Sequence, residues 1–404
     1  MAFTLSPWAQ AVSPAPDGGY TGGNTAEGQD ALLSLITGTF NTAIGLFSLE
    51  SDTEGDLNTA VGADTLLLNT ADDNTATGAG ALLTNSTGSA NTAMGAFALF
   101  NNTTGEGNTA TGDRALLSNT TGGFNTANGN QALVSNTTGS DNTAIGDSAL
   151  IRNTTGSDNT ATGRFALFLN DTGTTNTATG VEALFTNIDG TDNTATGAFA
   201  LADNTHGENN TANGAAALVN NTDGDFNTAV GVEVLNANTS GGLNAAVGFD
   251  ALLHCTEGSN NTAVGSNALF FLTTGNNNTA LGHDAGVNLT TSESNNIDIG
   301  FDVGGVAGES NTIRIGNNNI TDTFIRGISG TTIASGAAVL VASTGQLGTV
   351  TSSERFKENI KPMDQASEAL FSLKPVTFRY KKEIDPNGTP QFGARSRRRR
   401  EDKS

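Results

Sequence analysis

The sequence predicts an all-β fold: a β-solenoid or β-roll of about sixteen 17-residue coils, with a short strand-rich neck and a partial α+β segment behind it. The first observation is a phrase of 17 residues, Asn-Thr-Ala-x-Gly-x-x-Ala-Leu-x-x-Asn-Thr-Thr-Gly-x-x, which starts at Asn24 and recurs to Asn278. Fourteen of the fifteen spacings are 17, and the step from Asn58 to Asn74 is 16. The second is the length of that unit. A helical hairpin repeat needs more than about thirty residues, whereas one turn of a β-solenoid fits. The third is its punctuation, since Gly and Asn-Thr-Thr-Gly break each unit into short extended pieces.

The copy NTAIGDSALIRNTTGSD, Asn142 to Asp158, shows what each position has to do. Asn142, Ala144 and Gly146 have a counterpart in every copy, and Leu150 lacks one only where Gly286 stands. The fourth position is looser, with Ile44, Val61, Met94 and Ile145 but also Thr77, Asn128 and Glu27. Equivalent residues of stacked coils lie about 4.8 Å apart, the spacing between paired strands. A repeated Asn at that spacing forms an amide ladder to the copies above and below. Gly146 marks a corner needing positive φ or close backbone approach. Asn153 to Gly156 is a second turn, because Asn and Gly tolerate left-handed conformations and Thr does not. Ala149-Leu150 is the second inward element, as a short extended piece or as one helical turn.

The core of such a coil is thin. One buried Leu contributes about 2 kcal/mol, which is small against the ordering of a whole coil. Either stacked backbone hydrogen bonds carry the load, or several chains share a core. The expectation is a homotrimer whose apolar edges meet on a common axis, with a slim monomeric solenoid as the alternative.

Charge is unevenly placed. Residues 1–350 hold five Arg, no Lys and 32 acidic residues, a net of −27, while residues 351–404 carry +5. An acidic rod without a basic footprint argues against nucleic acid or an anionic membrane as partner. The Gly-Gly-x-Gly-x-Asp pattern of calcium-binding rolls is absent. Cys255 is the single cysteine, and with His206, His254 and His283 it makes no pair at metal-ligand spacing, so Cys255 reads as a variable residue at a coil corner. No metal or cofactor is expected. No apolar run approaches the ~20 residues of a membrane span.

In chain order, residues 1–23 form a Pro/Gly-rich, poorly ordered leader. Ala9-Gln10-Ala11 looks like a signal cleavage site, but the basic n-region is missing, so a signal peptide is not intact. Trp8 is placed to cap the first coil. The array fills residues 24–285. Residues 286–350 hold two weaker copies, from Asn296 and Asn311, and a neck. Alternation at Ile313, Ile315, Ile320, Phe324 and Ile325 predicts ordinary strands there, and residues 331–350 read as a strand between small-residue turns. Within 351–393, Ala366, Ala369, Leu370 and Leu373 give helical spacing over 364–373. Pro375 stops that helix and Val376–Tyr380 alternates as a strand. Residues 394–404 are a basic disordered tail.

The stretch TSSERFKENI from Thr351, with the helix and VTFRY strand after it, resembles the C-terminal intramolecular chaperone of endosialidases and phage tail spikes. That module opens with Ser, a small or acidic residue, x, Arg, x, Lys and then an apolar residue, matched here by Ser352, Ser353, Arg355, Lys357 and Ile360. The array is similar to repeats that precede such modules in tail-fibre-like proteins and, more loosely, to the heads of trimeric autotransporter adhesins. The resemblance implies a trimeric chaperone that aligns three chains and then cuts itself off between Thr351 and Ser352. Ser352 would be the nucleophile and Lys357 the general base, which requires the Lys pKa to fall from about 10.4. Residues 351–393 cover only the front part of such a module before ARSRRRREDKS, so a truncated end with weak or absent self-cleavage is expected.

Three functions follow. One is a structural or adhesive rod, trimeric, extracellular, on a cell surface or virion, touching a surface glycan or receptor. Another is a self-cleaving Ser/Lys peptidase. The third is an ice- or glycan-binding solenoid, since Asn-Thr-Ala-Thr-Gly from Asn74, Asn108, Asn159, Asn176 and Asn193 arrays Thr-x-Thr on one side.

Overall fold

The computed structural model describes residues 20–325, 339–343, 346–349, 375–379, 382 and 390–394. Trp8, Thr351, Ser352, Lys357 and the helix expected over 364–373 lie outside the described residues. Eighteen three-residue strands, from Thr25–Glu27 to Ile313–Ile315, form one parallel sheet. Its register pairs Thr with Thr and Ala with Ala, as in Thr143↔Thr160 and Ala144↔Ala161. Eighteen strands at ~4.8 Å extend the solenoid by about 80 Å. The two weaker copies join this sheet. Ile313 and Ile315, expected in ordinary strands, are instead the outward residues of its last strand. Ile313 pairs with Ile297, so Thr312, rather than Asn311, takes the first position of that coil.

The coil from Asn142 shows why these residues fold this way. In Thr143–Ile145 the side chains alternate, so Ala144 is fully buried and its neighbours face outward. Gly146 turns the chain with φ 135°, where a Cβ would stand 2.5 Å from the carbonyl oxygen of Gly163 in the next coil. Two tight turns follow, closed by Ala149 N–H to the Gly146 carbonyl (3.4 Å) and Asn153 N–H to the Leu150 carbonyl (3.2 Å). The Ala-Leu element is therefore a pair of turns and not a helical one.

Left-handed backbone falls at unexpected positions. Ser148, Leu150 and Asp158 have φ of 57°, 52° and 60°, whereas Asn153 and Gly156 stay out of that region. An L-residue held there costs about 1 kcal/mol, and the Leu recurs so from Leu32 to Leu269. That conformation goes with a Leu side chain fully buried in the core, as at Leu150. Gly156 is fixed by space instead. A Cβ on it would lie 2.3 Å from the Gly173 carbonyl oxygen and 2.5 Å from Asn153 Oδ1.

Two buried asparagine columns stack in the core, the first-position one from Asn24 to Asn296 and the twelfth-position one over the central coils. At the twelfth position, Asn153 Nδ2 donates to Asn136 Oδ1 (2.8 Å) and to the Gly156 carbonyl (2.9 Å). At the first position, Asn142 Nδ2 donates to the same Gly156 carbonyl (2.9 Å), while Asn142 Oδ1 accepts from Asn159 N–H (3.1 Å). Each Gly carbonyl of this kind thus ties both columns together. The twelfth-position ladder starts at Asn69 and ends at Asn238, whose Oδ1 has no donor because Cys255 follows. Leu35, Leu272 and Leu289 replace Asn in the terminal coils, where an amide would lack a partner. The 16-residue coil omits one corner residue, and Asn58 Nδ2 reaches the Ala71 carbonyl instead (2.8 Å).

Backbone bonds between coils complete the stack, for example Thr143 N–H to the Asn159 carbonyl (2.8 Å) and Leu150 N–H to the Ala166 carbonyl (3.0 Å). Ala144, Ala149, Leu150 and both Asn are fully buried within a single chain. The core is closed without a second chain, so the load that one Leu per coil cannot carry falls on hydrogen bonds. From Thr321 a second unit begins. Its described strands form two antiparallel pairs, Val339–Val341 with Leu347–Thr349 and Pro375–Phe378 with Gln391–Ala394.

Removing one rung should be costly. Asn153→Ala deprives Asn170 Nδ2 and the Asn136 amide of a partner and is expected to destabilise by about 3 kcal/mol. Exposed Thr155→Ala should stay within about 0.5 kcal/mol. Gly156→Ala should cost roughly 3 kcal/mol with no φ strain involved. Chemical denaturation of the three variants checks the ranking.

Candidate functional site

The fixed residues all point inward, so function belongs to the outward columns and to the C-terminal segment. Asn142, Ala144, Leu150 and Gly156 meet inside one coil, and Gly146 makes the corner that closes it. Outside, the second position is Thr in every coil from Thr25 to Thr228. The fourth is mixed, and Thr-x-Thr stacks in adjacent coils only at Thr160/Thr162, Thr177/Thr179 and Thr194/Thr196, bounded by Ile145 and Asn213. A hydroxyl lattice therefore spans three coils.

On the side carrying positions 11 and 13, a groove of about 600 Å³ is lined by Ser135, Arg152, Thr154, Leu169, Asp171 and Ile188. Thr154 Oγ1 donates to Asp171 Oδ1 at 2.5 Å. The groove offers hydroxyls, a guanidinium, the Asp171 carboxylate and two aliphatic side chains. Beside it in sequence, the Phe168 and Phe185 rings stack 4.9 Å apart at 2°. Phe165 meets Phe168 edge-on, and Arg164 sits 4.2 Å over the Phe165 ring.

The titratable groups outside the acidic surface are few. Cys255 is no corner residue. It takes the inward twelfth position, fully buried, with its thiol pushed up to about 11 by that burial. His206 Nδ1–H donates to Asp189 Oδ1 at 2.5 Å on an exposed column, and that hydrogen bond raises its pKa. His283 stacks on Phe301 and lies 3.0 Å from Asp284. Among the described residues, no group of three or more His, Cys, Asp or Glu could hold a metal ion, and no helix is long and apolar enough to cross a membrane.

The last coils carry charge into the core. Asp298 stands where earlier coils have Ala, paired with Ala280 and Arg314 in the sheet. It is 1% exposed and neither carboxylate oxygen has a hydrogen-bond partner. Burial raises its pKa to about 6, with Arg314 lowering and Glu309 raising it. Arg314 itself pairs with Glu309. Asp52, at the opposite end of the twelfth-position column, is raised to about 6 mainly by burial. Glu293 differs. Burial opposes its charge, but backbone N–H groups of Gly308 and Thr291, each at 2.7 Å, hold its carboxyl below the ordinary value.

The predicted dyad of Ser352 and Lys357 and the Thr351–Ser352 bond lie outside the described residues. The strand expected after Pro375 is present as Pro375–Phe378. Its partner Gln391–Ala394 went unread, because four residues containing Gly393 give too little alternation. Residues 352–396 match the family described as chaperone of endosialidase, a stretch that opens at Ser352 and includes this strand pair. The chain thus joins an all-β solenoid to a C-terminal segment similar to that chaperone. No curated protein and no solved structure matches the chain.

The buried carboxyls set a pH dependence. Asp52 and Asp298 ionise near 3.8 in the unfolded chain and near 6 in the fold. Folding therefore takes up protons between those values, and stability falls as pH rises through them. Asp298→Ala, which restores the repeat residue, is expected to stabilise by about 2 kcal/mol more at pH 7 than at pH 4. Thermal melts at the two pH values check both the sign and the flattening.

Proposed function

We propose that the chain is a structural and adhesive rod of the tail-fibre kind, in which the C-terminal segment guides three copies into one assembly. The observation that carries this reading is the match of residues 352–396 to the chaperone of endosialidase, placed behind a repeat array. That comparison supports work at an extracellular surface, of a cell or of a virion. The solenoid suits a shaft. Its inward residues are fixed by hydrogen bonding, and its outward residues are free to present a surface glycan or receptor with contacts such as the Arg152 groove.

A second reading is self-cleavage before Ser352, with Ser352 as nucleophile and Lys357 as base. The Lys would need to be neutral, a state that burial or neighbouring cations would have to supply. Full-length protein is the expected outcome. Ice binding is disfavoured by the fourth column, where Ile145 and Asn213 bound the three Thr-x-Thr coils.

Two measurements test these readings. Light scattering of the purified full chain should give the mass of three copies, and a single-chain mass overturns the assembly. Intact mass under denaturing conditions should show the full-length chain. A species ending at Thr351 that disappears in Ser352→Ala would establish the peptidase instead.

A further inference from the structure

The strand face of the solenoid differs from every other side in its charge. Its two outward columns run from Thr25 and Glu27 to Ile313 and Ile315, and Glu27 is their one charged residue. Acidic residues of the array flank this face, as at Asp147, Glu182, Asp158 and Asp192, and others, such as Asp171, Asp189 and Asp203, stand on the remaining sides. Towards the C-terminal coils the fourth column turns apolar: Val230, Val247, Val264, Leu281, Ile299 and Ile315 follow one another. Ile297 and Ile313 replace Thr in the second column there. These side chains are not sheltered by the fold, with Val247 40%, Leu281 47% and Ile315 70% exposed.

We propose that this strand face is where a second copy of the chain packs, sheet face against the neighbouring copy, with the acidic corners as a rim. Electrostatics select the occupant's orientation. Residues 1–350 carry a net of −27, and two such arrays repel wherever their corners meet. Like charges brought together cost several kcal/mol, so copies can approach closely only through a side without charge. The area is also sufficient. A strip about 10 Å wide and about 80 Å long offers roughly 800 Å² per copy, which is the size of a standard stable interface. Rising apolar content towards Ile315 supplies the desolvated core that such an interface needs. The inference rests on the multi-chain reading above and adds the surface that reading lacks.

The test uses the full chain. Thr179→Glu with Val247→Glu places like charges on the face at exposed positions, and Thr104→Glu with Thr155→Glu does the same on an exposed corner column. Light scattering should show the face variant reduced to one chain, with far-UV circular dichroism unchanged, while the corner variant keeps the wild-type mass. In a parallel experiment, Thr179→Cys should react with a maleimide at least ten-fold more slowly than Thr104→Cys in the native protein. The buried Cys255 stays silent. A multimeric wild type whose face variant remains multimeric overturns the face and leaves the assembly standing. A wild type of one chain overturns the assembly itself, and slow labelling of Thr179→Cys in that case identifies a segment of the same chain as the occupant.

Discussion

The fold depends on one acceptor. In each regular coil the carbonyl of the fifteenth residue, Gly156 in the coil described, receives Nδ2 donors from both buried asparagines. Neither amide can reach water, so each donor left without this carbonyl would incur the full desolvation cost of about 1–3 kcal/mol. The residue must also be Gly, since a Cβ would intrude on the Gly173 carbonyl and on Asn153. Repetition then works in the fold's favour. Each coil presents the next with the same donors and acceptors at strand spacing, and the first-position column passes unbroken through the 16-residue coil because Ala71 supplies the carbonyl.

A core made this way is small, closed and indifferent to what stands outside it. Leu150 is held in a left-handed conformation, and the strain recurs in coil after coil because the hydrogen-bonded frame over-determines it. The outer columns are released from folding duty. They diverge into acidic corners, aromatic pairs such as Phe168 with Phe185, and an uncharged strand face. That division accounts for a strict inward repeat and a variable outward surface in one sequence.

Much of this was legible from the residues. The period gave the solenoid, the repeated Asn gave an amide ladder, and the strand after Pro375 was visible in VTFRY. What escaped was three-dimensional. Asn153 and Gly156 looked like left-handed turn residues, but their recurrence reflects a buried amide and a close contact. The left-handed positions went to Ser148, Leu150 and Asp158, of which propensity would nominate only Asp158. Cys255 looked like corner variation because only the stack reveals that its position faces inward. Asp298 could not be distinguished from a surface acid until the sheet register placed it opposite Ala280.

The central claim is that buried asparagine hydrogen bonds, and not apolar burial alone, hold the coils together. Native-state hydrogen exchange tests it most directly at the first-position Asn backbone amides, each bonded to a side-chain oxygen of the previous coil, as Asn159 N–H is to Asn142 Oδ1. The account predicts exchange as slow as that of the strand amides such as Thr143 N–H. Exchange of the Asn amides at the rate of exposed corner amides, with the strand amides still protected, would contradict it.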